Sequence, residues 1–234
     1  MMSLWPAFFT TLLLSIFWLR LIDFFAIKGI ISQKLSRKII HIGTGPIFVL
    51  CWLLFPEDPL SRYFAAFIPF LISIQFFLIG MGIIKDQASV EAMSRTGNPK
   101  EILKGPFFYG IVFVLLTIIF WRDSPIGIIA LMILCGGDGF ADVIGRRIPS
   151  TALKWSPGKS MAGSIAMFFG GFIFSAVLLH IFINNGYIQL TFTDCLIKIL
   201  LLSFMATIVE SLPIRDLDNI TVPMSIVIVG LIIF

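Results

Sequence analysis

The chain has 234 residues, of which 58% are hydrophobic and 13% are charged, and its formal net charge is +4. Soluble globular domains are only about half apolar, so this composition, with a mean hydropathy of +1.02, excludes an ordinary water-soluble domain. The small positive charge is weak evidence for nucleic acid binding, and we expect no nucleic acid partner.

Apolar runs of about 20 residues recur, which is the length that a helix needs to cross the hydrocarbon core of a bilayer. The runs are continuous and not alternating, so they predict membrane helices in an all-α, multi-pass bundle that forms one domain over residues 1–234. A short eighth segment, Thr221–Phe234, would cross only with help from flanking residues or local thinning of the bilayer. The seven predicted full spans are Leu4–Ile22, Ile39–Phe55, Tyr63–Ile84, Phe107–Trp121, Pro125–Ile144, Ala162–Ile183 and Cys195–Leu212.

The loop cations predict an orientation. If the N-terminus lies outside, the loops on the cytosolic side hold all of the 17 Lys and Arg residues except Arg62, Arg122 and Lys198. Cytosolic loops of membrane proteins are enriched in these residues, so we expect an outside N-terminus and a cytosolic site. No Arg- and Ser-rich transit segment precedes the first span, which favours a bacterial, specifically cyanobacterial, membrane over a plastid precursor.

The segment "ILCGGDGFADVIGRR", Ile133–Arg147, places two carboxylates at the end of the fifth span. If this helix starts at Pro125, Asp138 lies about 20 Å along its axis, with Asp142 one turn later. An ionisable residue at such depth indicates a functional site, and the neighbouring glycines indicate a broken or closely approached helix. In the alternative interpretation the span ends at Gly136 and both aspartates are solvated loop residues.

Asp138 and Asp142 would share one face of a helix, where two carboxylates repel each other unless a cation lies beside them. Hard oxygen ligands suit Mg²⁺, which usually binds together with substrate phosphates. Basic residues follow in the chain, and backbone N–H groups at the start of the next span could face an anion. The pattern predicts a metal–polyphosphate site. Its candidate phosphate-binding residues are Arg146, Arg147, Lys159, Ser160, Gly163 and Ser164.

Polar residues elsewhere are predicted on the same face. His41, three residues after Lys38, is either a structural hydrogen-bonding residue or a base. Glu210, near the end of the seventh span, is either a functional carboxylate or an interfacial one paired with Arg215. Further metal or ribose contacts could come from Asp216, Asp218 and Asn219.

Five segments together resemble the polyprenol kinase family, which includes dolichol, farnesol and phytol kinases. They occur in the family's order and read "LSRKIIHIGTGP", "MSRTGNPKEILKGPFFYG", "GGDGFADVIGRR", "GKSMAGSIAMFFGGF" and "ATIVESLPIRDLDNITVP". The likeness is greatest to the phytol kinases of cyanobacteria and plastids, since Ala162 stands where dolichol kinases tend to have glutamate. Phytol kinases often have two aspartates before the asparagine, whereas here Leu217 precedes Asp218, which leaves Asp216 and Asp218 as alternatives for one role.

The resemblance implies an enzyme that moves a phosphoryl group from CTP, sometimes UTP, to an isoprenoid alcohol in the bilayer. The alcohol would be phytol, salvaged towards tocopherol and other prenyl lipids. Phosphoryl transfer depends mainly on positioning and charge stabilisation, so we expect Asp138, Asp142 and Asp218 to bind Mg²⁺. Lys38 and Asn219 would join the phosphate-binding residues, and His41 or Glu210 would accept the alcohol proton alongside the catalytic Asp138.

Two other functions fit parts of the pattern. A cytidylyltransferase acting on a lipid phosphate would use related CTP chemistry, but the longer aspartate-bearing signature of CDP-diacylglycerol synthases is not evident in the sequence. A non-enzymatic transporter would place polar residues near the midplane and would often contain an internal repeat. The sequence has neither of these features.

Overall fold

The computed structural model describes residues 1–94, 96–213 and 217–234. Seven helical segments are long and apolar enough to cross a membrane, which confirms the predicted multi-pass helical bundle. The helices are α1 (Leu4–Ile27), α2 (Gln33–Cys51), α3 (Ser61–Gly80), α4 (Gln87–Met93), α5 (Pro106–Ile119), α6 (Pro125–Met132), α7 (Asp138–Arg147), α8 (Met161–Asn184), α9 (Phe192–Ser211) and α10 (Asp218–Ile233). Short 3₁₀ turns cover Trp52–Leu54 and Pro99–Glu101.

The helix ends agree with the predicted spans to within a few residues, except at the start of the second span. Helix α2 begins at Gln33 and not at Ile39, and Ser32 caps it by accepting a hydrogen bond of 3.3 Å from the N–H of Leu35. Hydropathy marks only the apolar part of a helix, so the polar first turns were missed. Lys38 therefore lies on the same helix as His41, which the predicted span already contained, and not in a loop.

The fifth span is the central element of the bundle. It runs from Pro125 to Arg147 as α6, a π-helical turn over Ile133–Gly137, and α7. Every residue from 126 to 137 is buried, because α6 contacts α2, α5, α8 and α10. A helix that is apolar on all sides belongs in such a position. The surrounding helices thus fix the place where α7, and with it Asp138, begins.

Glycines bring the fifth span close to α8. A Cβ atom at Gly170 would lie 2.7 Å from the Gly136 carbonyl oxygen, and one at Gly145 would lie 3.2 Å from the Gly163 Cα atom. Small residues at such crossings allow two membrane helices to approach closely. The π turn and the close approach of α8 confirm the prediction, made from the glycines, that this helix is broken or closely approached. Because α7 continues to Arg147, the alternative in which the span ends at Gly136 is wrong.

A small antiparallel hairpin between α7 and α8 is the exception to the all-α prediction in the described part of the chain. Its strands are β1 (Ala152–Leu153) and β2 (Ser156–Ser160). Strands of two and five residues show no alternating pattern that would have predicted them. Trp155 at the hairpin tip donates a hydrogen bond of 3.2 Å from Nε1 to Ser211 Oγ, which ties the hairpin to the end of α9.

Candidate functional site

A cavity of about 1420 Å³ lies at the end of the bundle that carries the loops before α2, between α3 and α5, before α8 and before α10. We call this end the cation-rich face, because it holds most of the lysine and arginine residues. Most of the sequence-predicted site residues line this one cavity. They are Lys38, His41, Asp138, Asp142, Arg146, Lys159, Ser160, Gly163, Ser164, Glu210, Asp218 and Asn219.

Three carboxylates meet at the centre of this face. Asp138 is the first residue of α7, Glu210 lies at the end of α9, and Asp218 is the first residue of α10. One oxygen from each lies within 4.8 Å of the others. This carboxylate trio provides hard oxygen donors of the kind that Mg²⁺ prefers. It contains Asp138 and Asp218 from the predicted metal set, but its third member is Glu210 and not Asp142.

Lys159 at the end of the hairpin joins two members of the trio. Its Nζ atom lies 2.6 Å from Glu210 Oε1 and 3.3 Å from Asp218 Oδ2, and it also donates to the Glu210 carbonyl oxygen. Burial favours the neutral amine, but the hydrogen bonds and charges of Glu210 and Asp218 outweigh it and raise the pKa of Lys159. Lys159 thus holds the carboxylates of Glu210 and Asp218 together beside Asp138 at the wall of the cavity.

Asp142 lies beside the trio and is balanced by other cations. Lys38 Nζ is 3.4 Å from Asp142 Oδ2 and 3.8 Å from Asp138 Oδ2, so this ammonium group lies between the two aspartates. Arg146 Nε donates a hydrogen bond of 2.6 Å to Asp142 Oδ1. The two aspartates share a helix face, as predicted, and Lys38 supplies the cation that their proximity requires.

His41 is held as a hydrogen-bond donor to Asp138. Its Nε2 atom lies 3.1 Å from the Leu134 carbonyl oxygen and 3.3 Å from Asp138 Oδ2. Both neighbours are acceptors, so Nε2 carries a hydrogen. Leu134 belongs to the π turn, in which the Asp138 N–H donates to the Ile133 carbonyl oxygen five residues back. Of the two roles weighed for His41, this geometry favours the structural one.

The backbone N–H groups at the start of α8 donate hydrogen bonds to serine side chains of the protein. The N–H of Ala162 donates to Ser150 Oγ at 3.0 Å, and the N–H of Gly163 donates to Ser160 Oγ at 3.2 Å. These groups, which the sequence suggested as anion donors, therefore cap the helix instead. Ser164 is different, because its buried Oγ makes no hydrogen bond to any described residue and lines the cavity.

The remaining predicted phosphate-binding residues lie near the mouth of the cavity. The Arg146 side chain is 60% exposed and can turn towards a ligand. Asn219 donates from Nδ2 to the Gly105 carbonyl oxygen at 3.0 Å. Arg147 does not line this cavity but a small neighbouring pocket of about 120 Å³ between the start of α2 and the end of α7, which shares Lys38, Asp142 and Arg146 with the cavity.

The segment before α5 contributes residues that the sequence reasoning did not assign to the site. Asn98, Lys100, Glu101 and Lys104 before α5, and Tyr109 in the first turn of α5, all line the cavity. This segment is one of the five that resemble the family, and that resemblance was the signal in the sequence that could have assigned these residues to the site. Arg95, one of the loop cations used to predict the orientation, and Arg215 and Asp216 lie outside the described residues.

Comparison with known proteins identifies the family. The chain is 41% identical over 217 residues to the "Probable phytol kinase, chloroplastic" of Triticum aestivum, covering 92% of this chain and 72% of the relative. It is 41% identical over 209 residues to "Phytol kinase 1, chloroplastic" of Arabidopsis thaliana, covering 88% and 69%. It is 43% identical over 217 residues to "Probable phytol kinase 3, chloroplastic" of Glycine max, covering 92% and 68%.

The chain belongs to the phytol kinase family. This membership confirms the resemblance and the expectation of an enzyme of the isoprenoid alcohol kinase class. No protein-family model matches the chain, and no solved structure matches it.

The prediction of a bacterial, cyanobacterial membrane is wrong, because these relatives are chloroplastic proteins of plants. The prediction depended on the residues before the first span. The aligned relatives are longer than the chain, so those few residues carry no information about a leader segment.

Proposed function

We propose that this protein transfers the γ-phosphoryl group of CTP to the hydroxyl group of phytol at the cation-rich face of the membrane. One observation carries the proposal: the carboxylate trio and Lys159 occupy the polar end of a cavity whose other walls are apolar helices. A water-soluble nucleotide and a lipid alcohol can meet only at such a boundary. The relatives named phytol kinases support the choice of alcohol, and the family resemblance supports CTP.

The carboxylate trio fits Mg²⁺, so Asp138, Glu210 and Asp218 would hold the ion, which when bound supplies positive charge to the nucleotide phosphates. Lys159 keeps Glu210 and Asp218 together. Arg146 and Ser164 are two cavity residues whose donors could bind phosphate oxygens.

Glu210, one of the two bases that the sequence suggested, is the carboxylate that we assign to accept the alcohol proton. The bond between the alcohol oxygen and the γ-phosphorus forms while the bond from that phosphorus to the β,γ-bridging oxygen breaks, which leaves CDP. The hydroxyl proton passes to a carboxylate oxygen of Glu210. His41 and Lys38 hold the Asp138 carboxylate in place from α2.

The test is a transfer assay with purified protein in nanodiscs, γ-labelled CTP, UTP or ATP, and a panel of isoprenoid alcohols. We expect label in phytyl phosphate, with CTP the preferred donor and CDP the second product. Release of pyrophosphate and incorporation of cytidine would contradict the proposal and indicate a cytidylyltransferase. A lack of transfer to every alcohol would contradict kinase activity altogether.

Asp138→Asn should abolish transfer while the protein still inserts and folds, with a loss of at least about 10²–10³-fold in kcat. Asp194→Asn is the matched control, because Asp194 lies at the other end of α9 from Glu210. Normal turnover by the Asp138 variant would exclude the proposed role of the carboxylate trio.

A further inference from the structure

The cavity continues from the carboxylate trio into the membrane-spanning part of the bundle. Its inner walls come from α1, α2, α3 and α5, and its lining residues there include Ser15, Thr44, Phe48, Ile68, Ile72 and Phe113. Phe48, Ile68 and Phe113 are almost completely buried, at 3%, 1% and 2% exposure. We call this part of the cavity the apolar arm.

A row of rings connects the carboxylate trio to the apolar arm. The His41 ring, which donates to Asp138, lies 4.5 Å from Tyr109, centroid to centroid. Tyr109 lies 4.7 Å from Phe113, and Phe113 lies 5.7 Å from Phe48. Along α2, the rise from His41 to Phe48 is about 10 Å. The arm is therefore a continuous extension of the candidate active site.

We infer that the apolar arm binds the part of the isoprenoid chain next to the hydroxyl group, and that the rest of the chain leaves the protein sideways between α1 and α3. This inference rests on the proposed function. The arm is about 10 Å deep, which is shorter than an extended phytyl chain, so the distal chain has to reach the bilayer.

The two helices that form this exit are packed together at the opposite membrane end. There Trp5 of α1 lies 5.1 Å from Phe64 of α3, ring centroid to ring centroid. Nearer the cation-rich face, Leu19 of α1 and Phe76 of α3 both line the cavity. The exit is therefore in the half of the membrane that contains the carboxylate trio.

The apolar arm serves to orient the hydroxyl group of the bound alcohol. A lipid chain gains little free energy on moving from the bilayer into the arm, because lipid tails are as apolar as the lining residues. Holding the first isoprene units instead fixes the direction of the hydroxyl group, and small errors in such positioning reduce rates strongly. We therefore expect the arm to distinguish long from short alcohols through kcat/KM.

The test compares phytol with prenol, which has a single isoprene unit, in nanodiscs of one lipid composition. Ile72→Trp would fill the arm, whereas Ile74→Trp adds the same side chain at a 39% exposed position on the same helix. We expect Ile72→Trp to lower the ratio of kcat/KM for phytol to that for prenol by about tenfold or more. The ratio should stay unchanged in Ile74→Trp.

Equal ratios in both variants and in the wild type would overturn the inference while leaving the proposed function intact. Failure of the wild type to phosphorylate any alcohol would overturn the proposed function first, and the inference with it.

A second measurement needs no variant. A C20 alcohol with a diazirine in its second isoprene unit should label arm residues of α2, α3 or α5, and excess phytol should suppress this labelling. Labelling confined to lipid-facing residues such as Ile74, or unaffected by phytol, would overturn the inference even if Ile72→Trp fails to fold.

Discussion

Two cations at opposite ends of the bundle, the buried Arg122 and the partly buried Lys159, differ in their partners. Arg122 is 5% exposed and donates to the backbone carbonyl oxygens of Phe55, at 2.7 Å, and Pro56, at 3.1 Å. Its guanidinium carbon also lies 4.4 Å from the centroid of the Tyr187 ring. Lys159 instead contacts the side chains of two acids, which come from separate helices and face a cavity.

The difference separates a structural charge from a functional one. The donors of Arg122 are met by neutral groups that belong to the ends of neighbouring helices, so the residue fastens the bundle together. The partners of Lys159 are instead charged carboxylates from two helices, and they line the cavity in which a ligand would bind. Burial alone would have ranked Arg122 ahead of Lys159, so the charge of the partners is the more informative property.

Glu210→Gln removes the charge of the third trio member while keeping its shape. We expect kcat to fall by about 10²-fold and the Mg²⁺ concentration for half-maximal activity to rise, because one oxygen donor is weakened. Glu91→Gln on the exposed α4 is the control. An unchanged Mg²⁺ requirement would exclude Glu210 as a ligand.

Asp142→Asn tests the carboxylate that the sequence predicted as a ligand and that the structure pairs with Lys38 and Arg146. We expect a loss of about tenfold in kcat through the altered position of Lys38, with no change in the Mg²⁺ requirement. A shift in that requirement as large as in Glu210→Gln would restore Asp142 to the metal set.

His41→Gln keeps a side-chain N–H donor but has no titratable group. Because His41 donates from Nε2 to Asp138, we expect this variant to lose only about threefold in kcat, far less than the roughly 10²–10⁴-fold expected for loss of a general base. His41→Ala should lose more than His41→Gln. Equal and severe losses in both variants would indicate that His41 accepts the alcohol proton.

Arg122→Leu should leave kcat/KM of the folded protein unchanged, which completes the contrast with the trio. It deprives the carbonyl groups of Trp52, Phe55 and Pro56 of their donor, and we expect a loss of about 2–4 kcal/mol in the free energy of unfolding. Thermal unfolding in detergent measures this, with Arg62→Leu as a control of small effect. A change in kcat/KM would show that Arg122 is coupled to the site.

Much of the fold could be predicted from the sequence, because long apolar runs have few alternatives to membrane helices. The start of the fifth span at Pro125 and the close approach of α8 to the glycines around Gly136 both followed from the residue types alone. The hairpin could not be predicted, since its short strands depend on a tertiary contact, from Trp155 to the end of α9.

The sequence predicted which residues belong to the site better than it predicted which of them contact each other. Asp138, Asp142, Glu210 and Asp218 all line the one cavity, but spacing along one helix suggested Asp142 as the partner of Asp138. Which carboxylates meet depends on how α9 and α10 end against α7, and no local pattern encodes that arrangement. The donor role of His41 likewise required the carbonyl oxygen of a distant helix.

The π-helical turn over Ile133–Gly137 sets the rotation of α7 relative to α6, so the fifth span cannot gain or lose a residue here without changing that rotation. Removal of one residue would allow a regular α-helix through this region, and each residue of an α-helix turns the chain by about 100°. Asp138 would then be rotated by about 100° about the helix axis relative to the buried residues that precede the π turn. The buried half of the span and its acidic end could no longer both meet their neighbours, so insertions and deletions are expected in the loops of this family and not here.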